Sequence, residues 1–452
     1  MVAVVAATKG QTMKKNDKMS ISGALAAATC TLLGTAAVEP VEAQEEPGWD
    51  FNTSLLYYGE ADDRVQDLSL KTLSRRTFVD DRYLSLGLTV DALTGATPNG
   101  ALPQSFPQTF TKPSGKSTFT TPPGEFPIDD SFRDTRVAVT ANWEQPLGRL
   151  YALNVGVSGS AEFDYLHLGV NAKLSRDFNN RNTTVSGGFA YASDELDPVG
   201  GVPVGLTQMQ NVRDEDEPSG RAGQESKDVV DLVLGVTQVI SRNFLLQVNY
   251  SYSDSSGYLS DPYKIVTVVD AVTGDAVPIP QPPNGEGPSH LNFYEHRPDS
   301  RSKHSLYARG KYYMSGKVLD ASYRYMTDDW EIDSHTLDMR LRLPISDRTY
   351  LEPHLRFYTQ TAADFYRISL TENEPLPEYV SADYRLADFD AITAGLKFGW
   401  KTGGGNDMSV RLELYKQSGN VSSGDLIGSQ ADRDAYPDMD AIIFQYSYLF
   451  GK

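Results

Sequence analysis

The side chains able to do chemistry are few and widely scattered. The histidines are His167, His290, His296, His304, His335 and His354. No two have the four-residue helical spacing of a zinc protease, and neither a Gly-x-Ser-x-Gly elbow nor a phosphate loop occurs. His335 follows Asp328, Asp329 and Asp333, a grouping that could mimic the rim acids of a barrel protease. Ser–His pairs occur without a diagnostic spacing, so the chain reads as a non-enzyme, with an outer-membrane protease or lipase as the alternative. Acids cluster at Asp194, Glu195 and Asp197, at Asp214-Glu215-Asp216-Glu217, at Asp129, Asp130 and Asp134, and at Asp432, Asp434, Asp438 and Asp440. None has the spacing of an EF-hand loop, so we expect solvated loop surface and no metal. The single cysteine, Cys30, excludes a disulfide framework, an iron–sulfur cluster and a Cys-x-x-Cys-His haem site. No cofactor is expected.

The elements that must position these groups follow from composition. The 452 residues carry 41 Lys plus Arg against 60 Asp plus Glu, a formal charge of −19. Such acidity argues against nucleic acid, whose phosphates need a basic face. Hydrophobic residues make up 40%. Past residue 45 no run approaches the ~20 apolar residues of a spanning helix. A spanning barrel hides its apolar residues at every second position and stays polar on average. The 25 Tyr, 18 Phe and 37 Gly fit that second case.

Lys14, Lys15 and Lys18 precede a small, apolar stretch from Ile21 to Val38, followed by Val41-Glu42-Ala43. This is the pattern of a secretory signal peptide, with cleavage expected near Ala43–Gln44. Met13 is the more natural start, which puts residues 1–12 upstream of it. Removal of 1–43 takes Cys30 with it, leaving residues 44–452 as one domain.

Period-two alternation marks the rest, as in Leu84, Leu86, Leu88, Val90 and in Leu337, Met339, Leu341, Leu343. Sixteen strands are expected (14 or 18 as alternatives): 49–58, 65–75, 80–92, 133–146, 150–160, 163–177, 181–193, 227–241, 244–256, 302–314, 317–330, 332–344, 349–362, 388–401, 407–417 and 438–450. Connections after even-numbered strands are short, as at Ser241-Arg242 and Ser315-Gly316, and several after odd-numbered strands exceed twenty residues. Short turns on one side and long loops on the other predict an all-β, antiparallel, up-and-down transmembrane barrel. Its turns would be periplasmic and its loops extracellular, in the outer membrane of a Gram-negative bacterium. The last strand sets Phe444, Tyr446, Tyr448 and Phe450 on one face, resembling the C-terminal signal read by the outer-membrane assembly machinery, although Gly451 and Lys452 follow.

With the apolar set facing lipid, the other set faces a lumen. One wall then holds Tyr307, Arg309, Lys311, Asp320, Ser322, Arg324, Asp338, Arg340, Arg342, Glu352, His354, Arg356 and Tyr358. Turning an Arg or Lys to lipid near the midplane would cost ~2–4 kcal/mol, which fixes the register. A cation-lined wall could select anionic or polar solutes. We favour a salt-bridged ladder, because mixed-sign neighbours neutralise one another across strands. Other strands present Asn154, Gly156, Ser158, Thr184, Ser186, Gly188, Gln247, Asn249 and Ser251, mostly small and uncharged.

Three loop-border segments stand out: Asp91-Ala92-Leu93-Thr94-Gly95-Ala96-Thr97-Pro98-Asn99-Gly100, Gly257-Tyr258-Leu259-Ser260-Asp261-Pro262-Tyr263-Lys264, and Glu295-His296-Arg297-Pro298-Asp299-Ser300-Arg301. Together with Asp364-Phe365-Tyr366 they resemble a bacterial outer-membrane family catalogued as domain of unknown function 3570, over nearly the whole mature chain. The resemblance implies a Gram-negative envelope barrel without an assigned activity. It also implies neighbours of a periplasmic redox system: a small lipoprotein, a thioredoxin-like protein and a flavin-transfer protein. Physically, Gly95, Gly100 and Gly257 allow positive φ, and Pro98 and Pro262 fix turns. Asp91, Asn99, Asp261, Tyr263, Glu295, Arg297 and Arg301 are expected to meet at the outer rim, locking loops rather than binding a ligand. The leading expectation is a polar-lumen channel or partner-docking barrel without covalent chemistry. The alternatives are a loop-closed scaffold serving the redox system and a rim-located hydrolase.

Overall fold

The structure is a computed structural model. It describes residues 47–451 apart from 62–63, 130–132, 213–220, 222, 283–285, 404–405 and 422–425. The expected signal peptide and the acidic run Asp214 to Glu217 lie outside the described residues. The strands in chain order are β1 (Gly48–Glu60), β2 (Val65–Thr77), β3 (Tyr83–Gly95), β4 (Gln108–Thr111), β5 (Thr118–Thr121), β6 (Arg133–Leu147) and β7 (Tyr151–Ala161). They continue as β8 (Tyr165–Phe178), β9 (Thr183–Leu196), β10 (Glu225–Ser241), β11 (Phe244–Gly257), β12 (Ile265–Val269), β13 (Asn292–Tyr294) and β14 (Ser300–Met314). The last are β15 (Lys317–Asp328), β16 (Asp333–Pro344), β17 (Thr349–Gln360), β18 (Leu370–Thr371), β19 (Phe389–Lys401), β20 (Asp407–Gly419) and β21 (Met439–Gly451).

Sixteen of these form one closed antiparallel barrel: β1-β2-β3-β6-β7-β8-β9-β10-β11-β14-β15-β16-β17-β19-β20-β21, with β21 pairing back onto β1. The expected fold class and strand count are borne out, and every strand matches its expected segment within about three residues. Closure leaves no unpaired edge in the barrel. The short-turn end is tight: Ser315 and Gly316 both have positive φ (46° and 87°), as a two-residue hairpin of matching twist requires.

Alternation gives each face its character. The outward face is aliphatic, and Leu168, Leu234 and Leu414 are 60%, 63% and 60% exposed in mid-strand. Aromatic girdles bound this band. At the short-turn end Trp49, Phe51, Phe450 and Tyr448 stack in a row, and Phe398 stacks on Trp400. Arg82 lies over Phe78 and Trp143, and Arg176 over Tyr151 and Phe178. At the long-loop end Tyr250 and Tyr252 hold His304, and Tyr323 and Tyr325 hold His335. No described helix is long and apolar enough to cross a membrane.

Most of the hydrophobic core sits in the long loops, and a smaller cluster, Tyr58, Val65, Ala441 and Ile443, lies on barrel strands. Ile265 to Val269 is an unbroken, almost entirely β-branched run, buried on both faces as the middle strand of a small sheet, β13-β12-β18. Val266, Val268, Leu370, Val380 and Ala382 form one cluster there; Ala101, Phe110, Met209, Ile265 and Tyr294 form another. The hairpin β4–β5 stacks Phe110 on Phe119. Tyr384 and Tyr436 pack with Phe389 and Ala391 against the barrel side chains Tyr358 and Tyr415. The loops therefore form a lid over that mouth, with about five connections interlocked.

Candidate functional site

Two charged layers are superposed at this end: the lid's own buried cluster, and the lumen wall beneath it.

The lid cluster is built from three connections. Arg297 Nη2 donates to Glu295 Oε2 (3.0 Å) and to Asp383 Oδ2 (2.7 Å), and its Nε makes an ion-pair contact with Glu295 Oε1 at 2.7 Å. Arg385 donates to Asp261 (2.7 Å) and, through Nε, to both oxygens of Asp383 (2.9 Å each). Ser381 Oγ and the Asp261 backbone N–H donate to Glu295 (2.5 Å each). Lys264 Nζ donates to Thr97 Oγ1 (2.7 Å) and to the Pro98 carbonyl (2.5 Å). The Asn99 carbonyl accepts from the Ile265 N–H, tying the third connection in.

The cluster is electrostatically self-contained. Burial pushes the Asp261 carboxyl up, but Arg385 and Lys264 outweigh it and hold it at about 2. Burial likewise opposes Asp383, yet Arg385, Lys264 and Arg297 hold it well below the usual carboxylate range. Glu295 is raised by burial despite Arg297 beside it, and Lys264 is lowered by burial.

Of the expected rim set, Asp261, Glu295 and Arg297 meet, and Asn99 joins through its backbone. The other three do not join them. Asp91 is an inward barrel residue paired with Arg136 on β6 (Nε to Oδ2, 2.7 Å). Tyr263 reaches the β7–β8 turn, donating to Asp164 (2.5 Å). Arg301 forks onto Asp328 (2.8 and 2.5 Å) and lies over Trp330. Sequence proximity to a strand end does not say which way a loop turns. The reading missed Lys264, Ser381, Asp383 and Arg385. The signal for the last two was a single Asp383-Tyr384-Arg385 triplet inside a long loop. The acid-and-histidine grouping at the β15–β16 tip is not brought together: Asp328 is buried against Arg301, whereas His335 faces outward to Tyr323 (2.7 Å).

All ten expected wall residues face inward, and most are paired. Arg309 forks onto Asp320 (2.7 and 2.5 Å), with Lys311 at 3.8 Å. His354 bridges Asp338 (Nε2, 2.9 Å) and Glu413 (Nδ1, 2.8 Å). Arg340 sits 3.3 Å from Asp338, and Arg411 3.6 Å from Glu413. Lys397 pairs with Glu352 at 3.6 Å. Arg342 lies over the Tyr350 ring (3.7 Å) and Arg324 over Tyr307 (5.8 Å). Arg356 projects from β17 between β16 and β19. Lys397, Arg411 and Glu413 extend the wall onto β19 and β20, beyond where the sequence reading ended it.

Acidic loop residues are also closer than their sequence spacing implied. Asp134, Glu162 and Asp164 bring carboxylate oxygens within 4.8 Å of one another. Burial pushes Glu162 up to about 7, with Arg136 opposing and Asp134 adding to the rise. Asp194, read as a loop acid, lies inside β9, which runs three residues further than expected.

This chain belongs to the family described as "Protein of unknown function (DUF3570)", whose model matches residues 22–450. No curated protein matches the sequence. Several solved structures are similar to the chain. The ferric enterobactin receptor PfeA in complex with BCV-L6 is 9% identical, with TM-score 0.40, over 85% of this chain and 56% of that one. A bacterial polysaccharide outer membrane secretin is 10% identical, TM-score 0.43, over 90% and 100%. CdiB from Acinetobacter baumannii is 9% identical, TM-score 0.44, over 90% and 61%. The chain thus spans just over half the length of the enterobactin receptor it matches.

Proposed function

We propose that the protein is an outer-membrane barrel of a Gram-negative bacterium, exported by the segment at 1–43, whose polar lumen passes or receives small polar solutes when its lid opens. The location is supported by the outward aliphatic band between two aromatic girdles. A water-exposed band of that size would drive aggregation, whereas a bilayer covers it. Insertion would use the Phe444, Tyr446, Tyr448 and Phe450 face of β21 as the mark for the assembly machinery. The long loops then face outward and the short turns face the periplasm.

The observation that carries the lid reading is the buried Arg297–Asp383–Arg385–Asp261 cluster joining separate loops above a charged lumen wall. A breakable ionic lock on a lid suits gated passage. Planar-bilayer conductance tests it. The wild-type chain should show little steady current, and Asp383→Asn should raise the open-channel frequency. A steady large current in the wild type overturns the lid. A folded Asp383→Asn variant and a folded variant lacking residues 361–387 that both stay silent overturn passage and favour the scaffold serving a periplasmic redox system. Fractionation and heat-modifiable gel migration test the membrane location; a soluble periplasmic protein would sink it.

A further inference from the structure

The sparsely charged half of the lumen wall contains an arrangement that the passage reading does not use. Ser158 on β7, His167 on β8 and Asp194 on β9 all face inward from three consecutive strands. Ser158 Oγ lies 3.2 Å from His167 Nε2, and His167 Nδ1 lies 2.6 Å from Asp194 Oδ1. An ionised carboxylate has no proton to give, so Nδ1 carries the hydrogen and donates to Asp194. That leaves Nε2 as an acceptor for the Ser158 hydroxyl. The second oxygen of Asp194 is held by the Tyr165 hydroxyl and, at 3.4 Å, by Lys227, so the carboxylate cannot swing away from the imidazole.

The space in front of the serine is kept open by its neighbours. Gly169 is the cross-strand partner of Ser158, and a Cβ there would sit 2.6 Å from Ser158 Oγ and 3.2 Å from His167 Nε2. One step deeper, Gly156 leaves room for the amides of Asn142 and Asn171, into which a Cβ would collide. Among the described residues, the Oδ1 atoms of Asn142, Asn154 and Asn171 are buried without a hydrogen-bond partner. Buried polar atoms in that state are costly, and a bound polar group relieves them.

We propose that Ser158, His167 and Asp194 form a nucleophilic acyl-hydrolase centre inside the lumen, acting on a water-soluble carboxylic ester. This goes beyond the passage reading and rests on it only for the entry of small solutes into the lumen. Ser158 Oγ attacks the ester carbonyl carbon while His167 Nε2 takes the hydroxyl proton. The tetrahedral intermediate collapses with cleavage of the ester C–O bond, and the leaving alkoxide takes the proton back from His167. Water, deprotonated by His167, then attacks the acyl-serine and releases the carboxylic acid, restoring Ser158. The outward neighbours Val155 and Val157 belong to the lipid-facing set, so a bilayer lipid has no route to Ser158; the ester enters through the lumen.

The test is covalent labelling of the folded, full-length barrel with a fluorophosphonate probe, mapped by peptide mass spectrometry, alongside hydrolysis of p-nitrophenyl acetate. The expected adduct is on Ser158. Ser158→Ala should abolish both signals, and Asp194→Asn should slow them ~10³–10⁴-fold, as loss of the orienting carboxylate does in serine hydrolases. Gly169→Ala should block the probe, whereas Ser160→Ala should leave labelling unchanged. A barrel that migrates as folded yet gives no Ser158 adduct overturns the proposal. So does hydrolysis that survives Ser158→Ala.

Discussion

Between β14 and β20 the inward positions carry arginines, lysines and acids tied into pairs, with His354 clasped by Asp338 and Glu413. Between β6 and β11 the inward positions are mostly Asn, Ser, Gly and Gln, with a few charged groups such as Lys173, Asp194 and Asp231 among them, and several amide oxygens are unpartnered. The ladder is the same on both sides; what differs is how polarity is satisfied. The charged wall pairs most of its charges across and along strands, which holds its side chains in place. The sparsely charged wall instead sets small residues and amides around one serine, and that is where chemistry has room.

The comparison can be broken first where the charged wall is tightest. Glu413→Ala removes a fully buried carboxylate from His354 and Arg411 and should destabilise the barrel by about 3–5 kcal/mol, read from urea unfolding in lipid vesicles. A loss below about 1 kcal/mol would mean that water, not pairing, solvates that wall.

A second effect belongs to the other half, at the β7–β8 turn. Glu162 is held at about 7 in the fold against an ordinary 4.5. A carboxyl raised in this way favours the folded state while protonated. Its contribution to stability should therefore be full below about pH 4.5 and be lost as pH rises through about 7, amounting to at most about 3 kcal/mol. Glu162→Gln should flatten that slope in a pH series of unfolding midpoints; an unchanged slope would assign it elsewhere.

Third, Gly156→Val overpacks the amide layer and should cost about 1–3 kcal/mol, whereas valine at an exposed turn glycine such as Gly403 should cost less than 1 kcal/mol. Equal costs would show that the sparsely charged wall is loosely packed. The smallest effect sharpens the contrast most. Ser158→Ala should shift the unfolding midpoint by no more than the equivalent of about 0.5 kcal/mol while removing the fluorophosphonate adduct. A large loss of stability instead would make Ser158 a structural member of the wall.

Much of the scaffold could be read before any coordinates. Alternation fixed which residues face out, because one lipid-facing arginine costs more than the register can absorb, and Arg309, Asp320, Asp338 and Arg356 all fall inward accordingly. Turn length parity separated the two ends. The lid could not be read in this way. The run Ile265 to Val269 was an apolar, β-branched segment in plain view, but its partners β13 and β18 are three and two residues long and one pairs in parallel. Such short strands carry no periodicity. Asp383 and Arg385 looked like ordinary loop charges because nothing local says that Arg297, 86 residues away from Asp383, completes them.

The sequence by itself determined the class of molecule, its sixteen crossings and the sign of each face, since strand parity is a local property with period two. Tertiary structure alone decided which charges neutralise which, and that five loops share a core. It also decided that Ser158, His167 and Asp194 stand in one line. Those outcomes depend on barrel closure and cross-strand register, which bring together side chains that no spacing along the chain relates.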